Sequence, residues 1–376
     1  MLVERQALEE LHEVNNHQEE LGGSGYSSRE TPNRQIQMNK KERRKYSSLR
    51  SFTWSANQEK SEGQLLVENT AQEWYNAKHA TSSVSEIEFI NSLDIKQCLF
   101  CGSHDFTKYG HKKDGTQRYI CKGCGKRFTP LTNTIFDSKK IPISEWIEYL
   151  LHLFEFHSIN STAYDNRNSP TTGKYWLIKT FEVLKGIQDN VVLDGTVYLD
   201  ETYFAKTKNK LATKDGKKLR GISRNKIGVG VACNETKSIF IVTGTSKPSR
   251  KSTKETYSKH IARGSILVHD DEHSHSILIE ELELESKVYS TRETKGLPDK
   301  DNPLYPVNNL HLLLKQFIRN HGAYDREHLQ DWLNLFWFIM NDPKDKYDKV
   351  LKFIEMAVLS PKRVRYRDAM SSKHSK

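Results

Sequence analysis

Apolar and polar positions follow two periods between residues 84 and 359, one typical of helices and one typical of strands. Apolar residues three and four apart predict helices over 84–93, 143–157, 174–184, 276–285, 308–319, 327–341 and 347–359, and a polar helix fits 253–262. Runs rich in β-branched residues predict strands over 191–204, 227–233, 238–245 and 265–269. Because these strands alternate with helices, we expect a mixed α/β layer architecture there.

The first 85 residues lack such a pattern. They are polar, begin with an acidic stretch and carry a basic run at 40–45. Apolar residues are too sparse there to offset the entropy of ordering the chain, so we expect a disordered arm. Two interpretations of the basic run stay open, contact with DNA phosphates or simple solvation.

Four of the five cysteines lie in two close pairs. Cys98 and Cys101 form the first pair, Cys121 and Cys124 the second, and residues 102–120 separate them. Pairs at this separation can present four thiolates to one structural zinc ion, so we predict a zinc ribbon over 86–130. Four cysteines close the coordination sphere, which argues against a catalytic zinc. Basic residues in the ribbon favour DNA contact, although a purely structural role fits the same residues.

A helical region is predicted after the ribbon, over 131–190, with helices at 143–157 and 174–184. Short helices in this place are typical of a helix-turn-helix-like DNA-binding region, whose second helix would lie in the major groove. Helices that only link the ribbon to the next domain fit the pattern equally well. No base-reading residue can be assigned from the sequence.

The length and net charge of the chain limit the classes of protein to which it can belong. The 376 residues suffice for several domains, and the formal net charge of +10 favours an anionic partner such as nucleic acid. Five cysteines in so long a chain do not indicate a secreted disulfide scaffold, and Cys233, within an apolar run, is expected in the core. Neither a membrane-spanning run nor a signal-peptide pattern occurs, so we expect no membrane partner and a cytoplasmic, nucleoid-associated protein.

Two carboxylates lie at the predicted ends of strands, Asp200 and Asp270. Asn308, His311 and Lys315 lie on the polar side of the predicted helix over 308–319. Oxygen ligands that converge from two strand ends and a helix can hold two Mg²⁺ or Mn²⁺ ions, an arrangement suited to phosphoryl transfer. We therefore predict that Asp200, Asp270 and Asn308 are catalytic metal ligands, and that Lys315 contacts the DNA backbone or the scissile phosphate.

Glu201 and Asp271, each next to a proposed ligand, are alternative candidates for the same role. Alternate residues of a strand face opposite ways, so only one of Asp200 and Glu201 can point into the site. Asp270 is preferred to Asp271 because it is nearer to the apolar run.

Basic residues and two histidines accompany the carboxylates. Residues 204–226 hold nine Lys or Arg and one acidic residue, Asp215, which predicts an exposed basic loop beside a phosphate backbone. His269 and His311 either support the ligands or are histidines without a role.

The order Asp200, Asp270 and Asn308, with Lys315 seven positions later and a four-cysteine ribbon before them, resembles bacterial insertion-sequence transposases of the zinc-ribbon, DD(E/N)-type group. The resemblance spans roughly residues 86–341. It implies an RNase H-like catalytic domain that cleaves double-stranded DNA at the element's terminal repeats and joins it to target DNA without a covalent protein–DNA intermediate. It also implies a homo-oligomer that bridges two ends. The third ligand in that group is Glu or Asn, and an Asn oxygen binds Mg²⁺ less strongly than a carboxylate.

The predicted fold class is therefore multidomain α/β. Its parts are a disordered arm (1–85), a zinc ribbon (86–130), a helical DNA-binding or linker region (131–190), an RNase H-like mixed α/β catalytic domain (191–341), and a C-terminal helix with a basic tail (342–376). Two other functions fit the same residues. One is a catalytically idle, transposase-derived DNA-binding protein that recognises a sequence, and the other is an RNase H-like nuclease.

Overall fold

The computed structural model describes residues 84–137, 142–166, 168–206, 221–321, 326–359 and 362–370. The predicted arm, apart from its last two residues, lies outside the described residues. So do most of the basic stretch over 204–226 and the end of the basic tail. The disordered arm and the basic loop therefore stay predictions.

A helix, a small sheet and three further helices form the first described part of the chain. The helix predicted over 84–93 is present, and so are those predicted over 143–157 and 174–184. The elements are α1 (Val84–Ser92), β1 (Phe106–His111), β2 (Gln117–Cys121), β3 (Arg127–Phe128), α2 (Ile143–Phe154), α3 (Ile159–Asp165) and α4 (Pro170–Leu184). The three strands are antiparallel, in the order β1-β2-β3.

Polar side chains of α1 fix the small sheet and α2 to one another. The Asn91 side chain donates to the Gly115 carbonyl at 3.0 Å and accepts from the Gln117 N–H at 2.8 Å. The buried Glu86 carboxylate accepts the N–H of Ile143, the first residue of α2, at 3.0 Å. A carboxylate is favourable at this position because the first N–H groups of a helix lack partners within it.

A five-stranded sheet and its helices form the second part. They are β4 (Thr196–Ala205), β5 (Lys226–Cys233), β6 (Ser238–Thr245), α5 (Arg250–Tyr257), β7 (Ile266–His269), α6 (Ser276–Leu282), β8 (Glu285–Val288), α7 (Thr291–Thr294), α8 (Tyr305–Asn320), α9 (Leu329–Met340), α10 (Lys346–Leu359) and α11 (Tyr366–Met370). Short 3₁₀ turns occur at His273–His275, Asp299–Asp301 and Arg326–His328.

The sheet is mixed, with the strand order β6-β5-β4-β7-β8. β4 is antiparallel to β5, and β5 to β6, whereas β7 is parallel to both β4 and β8. Both faces of the sheet are covered, which explains why its central strands are almost continuously apolar. The predicted mixed α/β architecture is confirmed.

Two hydrophobic cores lie on the opposite faces of the sheet. The smaller core contains Leu199 of β4, Leu267 of β7 and Tyr257 of α5. The larger core lies under α8 and α9 and continues without interruption into α1, α2, α4 and α10. Cys233 is buried in the larger core, as the sequence predicts, and so is Trp332. Burial raises the pKa of the Cys233 thiol to about 12.

Two elements differ from the sequence-based prediction. The helix predicted over 253–262 ends at Tyr257, because the chain beyond it pairs with Leu193: the Leu193 N–H donates to the His260 carbonyl and the Ala262 N–H to the Leu193 carbonyl, both at 2.8 Å. Strand β8 was not predicted. Its residues, Glu285–Val288, are all exposed at the sheet edge, so the sequence there lacks the apolar run that predicts a strand.

Candidate active site

Asp200 lies in the middle of β4, not at its end. β4 pairs with β5 from Tyr198 to Ala205, but with the parallel strand β7 only from Thr196 to Leu199. Asp200 is therefore the first residue beyond the parallel pairing, which corrects its predicted place at a strand end. The strand continues because its antiparallel neighbour continues.

Asp270 follows directly on β7, which ends at His269, as the sequence predicts. Leu199 and His269 are partners in the parallel pair, so Asp200 and Asp270 occupy corresponding positions one residue further on. Neighbouring strands lie about 4.8 Å apart, and corresponding residues face the same side of a sheet. The two carboxylates are therefore neighbours, whereas Asp271 is exposed.

The two carboxylates are partly withdrawn from water, with side chains 24% exposed for Asp200 and 35% for Asp270. Burial, and then the negative charges of Asp270 and Glu201, raise the pKa of Asp200 from 3.8 to about 7. Burial also raises the pKa of Asp270, although His275 opposes it. Neither carboxylate has a Lys or Arg ion-pair partner within the described ranges. Oxygen donors that lack positive charge in this way fit a divalent cation.

Glu201 faces the opposite side of the sheet, as the alternation of β4 requires. It is buried, and its Oε1 accepts a hydrogen bond from the Tyr257 hydroxyl at 2.9 Å and lies 3.3 Å from His275 Nε2. Gly230, the partner of Glu201 on β5, makes room for this contact, because a Cβ at Gly230 would lie 2.2 Å from the Tyr257 hydroxyl. Glu201 therefore belongs to a buried polar cluster behind the site.

His275 connects that cluster to Asp270. Its Nδ1 lies 3.1 Å from His269 Nδ1 and 3.7 Å from Asp270 Oδ1. Burial alone would lower its pKa, but Glu201 and Asp270 raise it above the ordinary value. Burial and the neighbouring His275 lower the pKa of His269 to about 4. His275 therefore links the carboxylates to His269, whose Nε2 lies 3.0 Å from Ser286 Oγ.

Helix α8 brings His311 against Asp200. His311 is buried, and its Nδ1 lies 3.6 Å from Asp200 Oδ2, whereas the side chains of Asn308 and Lys315 are exposed. His311 Nε2 is buried and has no hydrogen-bond partner among the described residues. Burial, and then the charge of Lys315, lower the pKa of His311 to about 4, so its imidazole is neutral and Lys315 lies near the site.

The spacing of residues along α8 indicates that His311 is buried, although the sequence analysis placed it with the polar residues. Val307, His311, Leu314 and Ile318 are spaced by four, three and four residues and form the buried stripe of α8. His311 therefore belongs with the apolar residues that face the sheet, while Asn308 and Lys315 lie together at the rim of that face.

The four paired cysteines converge as the sequence predicts. Their sulfur atoms all lie within 4.8 Å of one another, at 3.8 Å for Cys98 and Cys124 and 3.6 Å for Cys101 and Cys121. Zinc–sulfur bonds of about 2.3 Å in a tetrahedron require sulfurs about 3.8 Å apart. Gly102 and Gly125 follow the two knuckles with φ of +74° and +70°, which permits the tight turns. The geometry fits one zinc ion.

Basic residues on the small sheet are held by aromatic rings. Arg127 lies over the ring of Tyr109 at 4.4 Å, and Lys126 over that of Phe100 at 4.8 Å. Tyr109 and Phe100 are both exposed. These pairs give the sheet an exposed surface that is both cationic and aromatic.

The strand topology and the paired carboxylates describe a domain that can position a divalent cation for phosphoryl transfer. Residues 192–341 match the family model of the ISXO2-like transposase domain. This match covers less than half of the chain and agrees with the resemblance to insertion-sequence transposases. No protein of curated function matches the sequence significantly.

Three solved structures are similar to the chain at low sequence identity. Two are Mos1 complexes, a pre-cleavage transpososome (13% identity, TM-score 0.24) and a strand transfer complex (14%, 0.25), each covering 58% of this chain and 78% of that one. The third is an intasome of simian T-cell lymphotropic virus with the PP2A regulatory subunit B56 gamma (10%, TM-score 0.25), covering 50% of this chain and 67% of that one. TM-scores this low do not establish a common fold. No helix of the described ranges is long and apolar enough to span a membrane.

Proposed function

We propose that the protein cleaves double-stranded DNA at the terminal repeats of its insertion sequence and transfers the ends to target DNA. The observation that carries this proposal is the pair Asp200 and Asp270, level with each other on neighbouring strands of the transposase domain. The strand order, with three antiparallel strands followed by two parallel ones, supports an RNase H-like catalytic domain.

Asp200, Asp270 and Asn308 are the proposed ligands of two Mg²⁺ or Mn²⁺ ions. When bound, these ions activate the attacking water or 3′-hydroxyl and stabilise the leaving oxygen. Asp200 and Asp270 supply the negative charge, and His311, at 3.6 Å from Asp200, orients that carboxylate. Asn308 is carried over from the resemblance. It lies one turn before His311 on α8, with its side chain exposed.

Lys315 is proposed to contact the DNA backbone. It lies one turn beyond His311 on α8 and is exposed, so its ammonium can reach a phosphate that approaches the carboxylates. A cation here also offsets the negative charge that DNA brings to an acidic site.

The ribbon is proposed to bind one structural zinc ion through Cys98, Cys101, Cys121 and Cys124 and to contact DNA through its cationic, aromatic surface. The helical region over 131–190 is proposed to contribute to the same contact or to link the ribbon to the catalytic domain. α4 is buried along most of its length from Trp176 to Leu184, which favours the linking role. We further propose a homo-oligomer that bridges two element ends.

The experiment that tests the function is a cleavage and strand-transfer assay on DNA carrying the element's own ends, with Mg²⁺ or Mn²⁺. Wild type, Asp270→Ala and Asp271→Ala are compared. Because Asp271 is exposed beside the site, its variant is the matched control for charge and position. We expect metal-dependent nicking and joining by wild type and Asp271→Ala, and none by Asp270→Ala.

Two outcomes would contradict the proposal. Binding of the ends without cleavage by any of the three proteins would favour a catalytically idle DNA-binding protein. Nicking of unrelated DNA without joining would favour an RNase H-like nuclease.

A further inference from the structure

Three potential metal ligands meet on the surface of the helical region, away from the carboxylates of the sheet. His152 is in the last turn of α2, His157 follows the end of α2, and Asp165 ends α3. Asp165 Oδ2 lies 3.5 Å from His152 Nδ1 and 3.9 Å from His157 Nδ1. One ligand atom from each residue lies within 4.8 Å of the others, and the two imidazole rings are 5.1 Å apart.

A left-handed residue brings the two histidines together. Residues five apart on a helix would point in different directions, but the chain turns at Phe156, whose φ is +66°. The turn is fixed by packing of the Phe156 ring on Phe317 of α8, at 5.1 Å, and by a hydrogen bond from Asn320 to the Phe156 carbonyl. A left-handed conformation at a bulky residue is uncommon and costs free energy, so tertiary contacts hold this arrangement.

The polar atoms of the cluster are poorly satisfied by the protein itself. His152 Nδ1 is buried and has no hydrogen-bond partner in the described ranges. Asp165 Oδ2 accepts only a long hydrogen bond, 3.3 Å, from Ser161, and no Lys or Arg pairs with Asp165 within those ranges. A carboxylate and an unsatisfied imidazole nitrogen that face each other leave room for a cation between them.

The donor set selects a class of metal. Two imidazole nitrogens and one carboxylate oxygen suit Zn²⁺ and similar first-row ions, whereas Mg²⁺ prefers oxygen ligands. Tetrahedral zinc with bonds of about 2.0–2.2 Å places its ligand atoms about 3.4 Å apart. The two histidine–carboxylate distances exceed this by about half an ångström at most, which small side-chain rotations can remove.

We propose that His152, His157 and Asp165 form a second zinc site, distinct from the four cysteines, with one coordination position left to water. The bound ion joins the end of α2 to the end of α3. Because Phe156 lies between the two histidines and packs on α8, the ion also stabilises the contact of these helices with the catalytic domain. The proposal does not depend on the catalytic assignment.

The test is a Zn²⁺ titration of the full-length chain by isothermal calorimetry, with zinc content measured after dialysis. His157→Gln and Asp165→Asn are compared with wild type, and His328→Gln is the matched control. His328 forms a His–Asp pair with Asp331 at 2.9 Å, so this variant tests such a pair without a second histidine. All variants keep the cysteines and the sheet carboxylates, so differences between them isolate the cluster.

We expect wild type and His328→Gln to bind one zinc ion more than His157→Gln and Asp165→Asn. Zinc should also raise the thermal unfolding midpoint of wild type and His328→Gln more than that of the two cluster variants, because all four proteins keep the cysteine site. The two cluster variants change different elements, the turn after α2 and the end of α3, and both positions are exposed. If both variants lose the same zinc ion, misfolding of one of them cannot explain the result. Equal zinc content in all four proteins would overturn the proposal and leave an ordinary contact between the histidines and Asp165.

Discussion

The raised pKa of Asp200 predicts that this residue lowers the stability of the protein when no divalent cation is bound. A carboxyl group whose pKa is raised in the folded state stabilises that state at low pH. This stabilisation is complete below the unfolded-state value of 3.8 and is lost as the pH rises through about 7. At about 1.36 kcal/mol for each pKa unit, the whole change is about 4 kcal/mol. Between pH 5 and pH 8 it amounts to about 2.5 kcal/mol, since the folded carboxylate ionises only near the top of that range.

Asp200→Asn removes the charge while it keeps the shape of the side chain and an oxygen for the Glu201 N–H, which donates to Asp200 at 2.7 Å. We therefore expect the free energy of unfolding of the variant, relative to wild type, to increase by up to about 2.5 kcal/mol from pH 5 to pH 8. Urea unfolding followed by tryptophan fluorescence, in buffer without Mg²⁺ or Mn²⁺, measures it. Millimolar Mn²⁺ should stabilise wild type more than the variant, because the ion binds the charged site of the folded state.

Asp271→Asn is the control, because it removes an exposed charge one residue from Asp270. Its stability relative to wild type should not depend on pH in this range. If Asp200→Asn behaves in the same way, or loses stability relative to wild type at pH 8, then the carboxylates are not crowded as described and the argument for a cation between them fails.

Three further predictions follow from other contacts. His311→Ala should weaken Mn²⁺ binding, measured by electron paramagnetic resonance, about tenfold or more, because Asp200 loses its orienting partner; if Asn308→Ala leaves the affinity unchanged, His311 replaces Asn308 as the third ligand, and if His311→Ala leaves it unchanged, His311 has no role in metal binding. Gly230→Ala should lower the free energy of unfolding by about 1–3 kcal/mol, because a methyl group there overlaps the Tyr257 hydroxyl; an unchanged urea midpoint would contradict this. Removal of zinc by a strong chelator should make residues 98–128 sensitive to protease, whereas unchanged resistance would argue against a metal-dependent ribbon.

The sequence predicted those parts of the fold that depend on local period. Helices such as α8, α9 and α10 and the buried strands β4 to β7 have strong patterns, and the cysteine spacing predicted four converging sulfurs. β8 was not predicted, because an exposed edge strand such as Glu285–Val288 has no apolar face. The order of the strands, and with it the pairing of Asp200 with Asp270, depends on long-range contacts that no local pattern encodes.

Side-chain environments at the site were harder to predict than its position. Asp200 was expected at a strand end, because the sequence does not reveal that β5 extends the strand further than β7 does. His311 was grouped with polar residues by type, although its spacing from Val307 and Leu314 assigns it to the buried face. The pairing of His152 with His157 depends on the left-handed Phe156, a conformation that only packing on α8 explains.

The uninterrupted core that joins α1, α2 and α4 to α8 and α9 has a mechanical consequence. The small sheet is attached to this core through α1, and the Asn133 side chain donates a hydrogen bond of 2.8 Å to the carbonyl of Leu99, which lies between Cys98 and Cys101. If the ribbon holds DNA as proposed, the distance from that grip to Asp200 and Asp270 is set by folded structure rather than by a flexible tether. The folded protein alone would then determine where the DNA is cut relative to the recognised sequence.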